Sequence, residues 1–199
     1  MEGFLDWLES ERTNSPSTRN IRLAAIHSLF RYLCSQRPEH IFHAQQILSI
    51  PVKKTAQTEV KYLDTAQTEK LLAAPDVTTV HGKRDLALLC LLYDSGCRVQ
   101  ELADVRIRDI SFTVPPQVTL TGKGRKTRTV PLMKETAVIL RDYIACYRLD
   151  TPCRADTPLF FNHREEKLTR QGITYILQKY AEDAGMGKIT PHILRHSKA

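Results

Sequence analysis

The 199-residue chain has no long apolar run. The longest, Leu86–Tyr93, falls far short of the roughly 20 residues that a bilayer-spanning helix needs. No basic segment precedes an apolar stretch in the first dozen residues, which instead carry Glu2, Asp6, Glu9 and Glu11, so no secretory signal is expected. The five cysteines (Cys34, Cys90, Cys97, Cys146 and Cys153) are odd in number and scattered, with no Cys-x-x-Cys pair. Neither a disulfide scaffold nor a zinc-ligand set is expected from them, and a reducing, cytoplasmic setting is the simple expectation. The phosphate loop GxxxxGK[ST], the zinc helix HExxH and the nucleophile elbow GxSxG are all missing. Asp85, Asp94, Asp104 and Asp109 form no tight cluster, which disfavours a metal nuclease. The expectation is therefore a protein with no cofactor and no metal. Internal repeats and low-complexity tracts are also lacking.

Acidic residues are in deficit. There are 29 Lys and Arg against 22 Asp and Glu, a net charge of +7, which favours a polyanionic partner such as nucleic acid. Hydrophobic residues make up 42% and charged residues 26%, so a folded, non-membrane protein with a real core is expected.

Three regions follow from the patterning. In residues 1–52, Leu23, Ile26, His27, Phe30 and Leu33 or Cys34 recur at helical spacing, with Ser17 or Thr18 as a candidate cap and Pro38 beyond the end. Phe4–Leu8 adds a short apolar segment, giving a small helical unit with a meagre core. Residues 53–60, polar and lysine-bearing, read as a linker. Residues 61–199 form the larger unit. It opens with a short capped helix near Thr65 and continues through an apolar helix, Lys83–Ser95, that ends near Gly96. One or two helical turns follow at Gln100–Val105. From Ile110 the period changes to two, through Phe112, Val114, Val118, Leu120, Val130 and Leu132, which predicts a three-stranded antiparallel sheet. Helical spacing returns in Lys134–Tyr147 and in Gln171–Ala184. Thr190-Pro191 starts a last helix that stops after about two turns, as if the chain were cut short. The fold class is thus mainly α with a small antiparallel β-sheet.

The predicted hairpin carries the clearest charge signal: Lys123, Arg125, Lys126, Arg128 and Lys134, with no acidic residue among them. Glycines at 122 and 124 would let its turn approach a phosphate backbone. A solvated hairpin guarded by charge against edge pairing is the alternative. His192 and Arg195 lie at i and i+3, so both can face one phosphate, although helical neighbours of these types are common without any chemistry. Arg98 at a helix start opposes the dipole, and either Glu101 or a bound phosphate could compensate it.

Together these stations resemble the tyrosine recombinase (phage integrase) family. Asp94-Ser95-Gly96-Cys97-Arg98-Val99-Gln100-Glu101-Leu102 resembles its first arginine box. Thr121 to Leu132 resembles the hairpin with the catalytic lysine, and Leu168-Thr169-Arg170-Gln171-Gly172-Ile173 the helix start before the second box. Pro191-His192-Ile193-Leu194-Arg195-His196-Ser197 resembles the His-x-x-Arg box, and the last residues look most like the integrase and transposon-recombinase branch. The resemblance implies a DNA breaking-rejoining catalytic core preceded by a partial helical, SAM-like core-binding domain. It implies double-stranded DNA as partner, a homo-tetramer on DNA in the full family enzyme, no membrane, and roles in DNA integration, recombination and transposition. By the same resemblance Arg98 and Arg195 would hold the non-bridging phosphate oxygens and Lys123 would protonate the leaving oxygen. His192 would assist and Glu101 would orient Arg98, while Arg125, Lys126 and Arg128 would contact DNA. The family's nucleophilic tyrosine would fall beyond Ala199, so no nucleophile is assigned among these residues. Tyr143, Tyr147 and Tyr180 fit helix faces and are expected to pack.

Overall fold

The computed structural model describes residues 1–55 and 62–198. The chain divides into two compact units, Met1–Glu59 and Val60–Ala199. Most of the expected linker lies outside the described residues.

Among its described residues the first unit holds three α-helices, α1 (Glu2–Ser10), α2 (Pro16–Gln36) and α3 (Ile41–Leu48), with a 3-10 turn at Pro38–His40 between the last two. The cap of α2 is Ser15, whose side chain accepts the Thr18 amide at 3.3 Å. The expected cap at Ser17 or Thr18 is therefore corrected. Pro16 occupies the first turn, where its fixed φ suits a helix and its missing N–H costs nothing. The expected face is correct, since Leu23 and His27 are buried while Ile26, Phe30, Leu33 and Cys34 are half-buried. The helix α3 has no counterpart in the sequence-based expectation. It is held by a long-range bond, His27 Nε2 to the Ile47 carbonyl oxygen at 2.9 Å. Among the described residues, Leu5, Leu8, Leu23 and Ile50 form the small apolar cluster of this unit. Its last described segment, residues 51–55, is fastened by polar groups. The Asn20 amide donates to the Lys53 carbonyl at 2.8 Å and accepts the Lys53 N–H at 3.1 Å, and Arg19 reaches the Pro51 carbonyl at 3.2 Å.

The second unit is built around α5 (Val80–Ser95), preceded by α4 (Thr65–Ala73) and followed by α6 (Val99–Asp104). The cap of α4 is Asp64, not Thr65: its carboxylate accepts the Gln67 amide at 2.7 Å, and the Gln67 side chain accepts the Asp64 amide in return. Helix α5 is buried on most of its circumference, including Ala87, Leu88, Leu89, Leu91 and Leu92, as expected of a helix that is apolar all round. It ends at Gly96 with φ 54°, a left-handed C-terminal residue as expected there. Helix α7 (Lys134–Cys146) packs along it, and α9 (Pro191–His196) packs on it from another side. Helix α8 (Arg170–Asp183) packs on α6.

Strands β1 (Ile110–Ser111), β2 (Gln117–Thr121) and β3 (Thr127–Pro131) form one antiparallel sheet in the order β1-β2-β3. The first strand is shorter than its alternation suggested: Phe112 and Val114 lie outside it, and Val114 is almost fully exposed. Proline at 115 and 116 cannot donate to a ladder, so pairing stops before them. The register places Val118 opposite Val130 and Leu120 opposite Arg128.

A buried polar network pins α5 to α8. Arg84 Nε donates to Asp85 at 2.8 Å, Arg84 Nη1 to the Phe161 carbonyl at 3.0 Å, and the Tyr180 hydroxyl to Asp85 at 3.0 Å. Asp85→Ala would strand the Arg84 charge in the interior. The expected cost is about 3–5 kcal/mol, read as a lowered urea midpoint for the second unit; Tyr180→Phe should cost only about 1 kcal/mol, one hydrogen bond.

Candidate phosphate-binding site

The site grows from the start of α6. Arg98 is its N-cap residue and offers no side-chain cap, so the first turn needs another acceptor. Glu101 supplies it. Its carboxylate reaches back to the Arg98 amide at 2.8 Å, and negative charge in a first turn also suits the helix dipole. The same carboxylate, 3% exposed, accepts three further bonds. Arg98 Nη1 donates to Oε1 at 3.1 Å, and Arg128 donates through Nη1 to Oε1 at 2.9 Å and through Nη2 to Oε2 at 2.7 Å. Four donors occupy the four lone-pair sites of one carboxylate. Bonding to Arg128 first, and to Arg98 second, holds the Glu101 carboxyl down at about 2 against the opposing effect of burial.

The hairpin between β2 and β3 sits against this node. Gly122 donates to the Lys126 carbonyl at 2.8 Å, closing the turn. A Cβ at Gly122 would lie 3.1 Å from Glu101 Oε1, so a side chain there would press on the carboxylate. Gly124 and Arg125 adopt positive φ, 75° and 59°, at the tip. Lys123, Arg125 and Lys126 are exposed and have no ion-pair partner among the described residues. Arg98, whose side chain is 61% exposed, faces the same open cleft of about 660 Å³, lined also by Glu101, Lys123, Lys126 and Arg128.

His192 and Arg195 lie on α9 and do not line that cleft. Thr190 caps this helix by accepting the Ile193 amide at 3.4 Å, as the sequence predicts, and Leu194 is fully buried. His192 is exposed and Arg195 half-buried. The end of α9 is fastened at two points. Ser197 Oγ accepts the Leu63 amide at 2.7 Å, and Lys198 Nζ donates to the buried Asp94 at 2.8 Å. Asp94 also accepts the Met133 amide at 2.7 Å, at the start of α7. Helix α9 rests on α5, whose C-terminal turn at Gly96 leads to Arg98 at the start of α6.

Two findings lie outside the sequence-based expectation. Arg128, grouped there with Arg125 and Lys126 as a DNA contact, is forked onto Glu101 instead of standing free at the tip. The period of two in β3 holds the signal: 128, 130 and 132 share a face, and Val130 and Leu132 turn inward. The Lys198–Asp94 pair had no local signal, since its partners lie 104 positions apart.

No tyrosine lines the cleft among the described residues. Tyr143 and Tyr180 are buried, with hydroxyls donated to the Leu159 carbonyl at 2.6 Å and to Asp85, and burial raises both phenols further above their ordinary value. Tyr175, by contrast, is exposed. Cys97, next to Arg98, is no rival nucleophile, because burial pushes its thiol up to about 11. No group of three His, Cys, Asp or Glu residues is placed to hold a metal among the described residues, and no helix there is long and apolar enough to cross a membrane.

Comparison with known proteins gives this arrangement a class. The phage integrase family profile matches residues 61–199, and the chain belongs to that family. It is 38% identical over 204 aligned positions to a Sinorhizobium fredii protein described as a candidate integrase/recombinase, covering 98% of this chain and 60% of that protein. It is 36% identical to tyrosine recombinase XerC of Herpetosiphon aurantiacus, covering 98% of this chain and 63% of the relative. The chain thus spans about three fifths of the length of these relatives. Among solved structures it superposes on the XerH site-specific recombinase, bound to a palindromic difH substrate in a post-cleavage complex. The TM-score is 0.73 at 22% identity, covering 98% of this chain and 59% of that one, which establishes the fold.

The Glu101 node sets a pH dependence. Its folded value, about 2, lies below the ordinary 4.5, so its stabilising contribution is complete above the unfolded value and is lost as pH falls through the folded one. In urea titrations, the stability gap between the parent protein and Glu101→Gln should be constant near neutrality and shrink between pH 4.5 and 2. A gap that does not change with pH would show that the ionised carboxylate is not what holds the node.

Proposed function

We propose that this chain binds double-stranded DNA and grips a phosphodiester as part of site-specific recombination or integration of the tyrosine recombinase type. The observation that carries this reading is the cleft itself. An exposed Arg98, oriented by a buried Glu101, stands beside a hairpin tip whose Lys123, Arg125 and Lys126 have no ion-pair partner among the described residues. Unpaired cations at a glycine-built turn suit a phosphate backbone, because they give position without reading sequence.

In this reading Arg98 and Arg195 hold the non-bridging oxygens and stabilise charge as it develops on phosphorus. A tyrosine oxygen attacks phosphorus, the bond to the 5′-oxygen breaks, and Lys123 delivers the proton to that oxygen, with His192 assisting. The product is a 3′-phosphotyrosine and a free 5′-hydroxyl; attack by another 5′-hydroxyl reverses the step and conserves the bond energy. The attacking tyrosine comes from outside the 199 residues, since none of their seven tyrosines is presented to the cleft. By themselves these residues bind DNA without cleaving it. The first unit serves as a helical, SAM-like core-binding module, which agrees with relatives whose match runs through it, and on DNA four protomers would share two sites. Five unpaired cysteines suit a reducing, cytoplasmic compartment.

Fluorescence anisotropy on a duplex, titrated with salt, tests the reading. Arg98→Ala and Lys123→Ala should each weaken binding and lower the slope of log affinity against log salt by about one. The isolated 199-residue protein should give no covalent adduct on a nicked suicide duplex. Unchanged affinity in both variants would sink the phosphate grip, and an adduct would sink the external nucleophile.

A further inference from the structure

Arg128 is the basic residue of the hairpin that the cleft does not need as a ligand. Both its terminal nitrogens are committed to Glu101, at 2.9 and 2.7 Å, and the pairing is the two-pronged kind that fixes direction as well as distance. Its place in the register explains why. Arg128 stands opposite Leu120, which is completely buried, and its side chain, 40% exposed at the cleft wall, reaches to the buried Glu101. The hairpin beyond it has little else to hold it. Residues 123–127 are all exposed, and the turn closes on itself through the Gly122–Lys126 bond. Glu101, meanwhile, is fixed to the start of α6 by the Arg98 amide.

We infer that Arg128 is a positioning residue: by forking onto Glu101 it fastens the base of the Lys123 hairpin to the helix start that carries Arg98, and so sets Lys123 relative to Arg98 before any phosphate arrives. The inference rests on the proposed function for the meaning of that placement, but the anchoring itself needs no DNA. Three of the four bonds at Glu101 come from guanidinium groups, yet the two arginines are placed differently. Arg98 gives one side-chain bond and keeps its remaining donors for a ligand, whereas Arg128 commits both terminal nitrogens to the carboxylate. Lysine could not replace it, because an ammonium group is a single point and cannot span both carboxylate oxygens.

Hydrogen exchange read by mass spectrometry tests this in the 199-residue protein, with α5 as the reporter of global opening. Arg128→Gln should speed exchange across residues 121–128 by about tenfold or more, the equivalent of losing charge-assisted hydrogen bonds, and leave α5 unchanged. Arg128→Lys should recover only part of the protection. Glu101→Gln should reproduce the effect, and adding Arg128→Gln to it should change nothing further. The Glu101 carboxyl carbon, followed by NMR in Arg128→Gln, should titrate above about 2. On adding duplex DNA to the parent protein, the side-chain resonances of Arg98 and Arg125 should move while that of Arg128 stays. Unchanged hairpin exchange, equal acceleration in α5, additive variants or a DNA-induced Arg128 shift as large as that of Arg125 would each overturn the inference. If no arginine responds to DNA, the proposed function fails while the exchange data still decide the anchoring.

Discussion

The Glu101 carboxylate is the constraint on which the candidate site depends. It is buried, ionised and fully supplied with donors: one backbone amide and two guanidinium groups. A buried charge is tolerated only when it is paired and all its lone pairs are met. Meeting that demand forces three elements together. The α6 amide must point at it, the β2–β3 hairpin must bring Arg128 to it, and Gly122 must leave room beside it. Arg98 then projects from a backbone that cannot turn away. The local order of an exposed site thus comes from a buried acid.

A second carboxylate does similar work at the same end of α5. Asp94 accepts from Met133 at the start of α7 and from Lys198 after α9. Together with Ser197 on the Leu63 amide, it fixes the register of the short α9. A six-residue helix has little stability of its own, so its direction must be set by packing and by such pins. Leu194 supplies the packing. His192 and Arg195, three positions apart on the helix, are thereby given a defined outlook from a segment that would otherwise fray.

The net charge of +7 therefore understates how the charges are sorted. Arg84, Arg128 and Lys198 are tied to Asp85, Glu101 and Asp94 and hold elements in place. Lys123, Arg125 and Lys126 stand exposed at one turn, with Arg98 held by a single side-chain bond beside them. Only the second group can exchange counterions with a polyanion at low cost, because moving the first would uncover a buried acid. A strongly basic composition is common; this division of labour is what gives the cleft a direction.

Much of the fold is legible in residue order alone. The apolar period marks α2, α5, α7 and α8, the alternation marks the hairpin, and Gly96 and Thr190 mark a helix end and a helix start, because these signals act over a few neighbouring residues. Arg98, Lys123, His192 and Arg195 are marked as candidates by resemblance to the family's boxes, and local spacing alone does not separate them from ordinary helix and hairpin neighbours. The true caps Ser15 and Asp64 lie one to three residues from the expected ones, since several hydroxyls and carboxylates compete for one set of amides and only the folded backbone selects among them. Helix α3 depends on a bond from His27, twenty positions away, and local pattern does not contain it. The role of Arg128 was decided by tertiary structure in the same way. On the chain it is one of five like charges; in the fold it is the one that meets a buried carboxylate 27 positions earlier. Sequence determined which charges are present and which elements form. Folding decided which charges are neutralised and which remain free, because that choice depends on burial, a property of the packed whole.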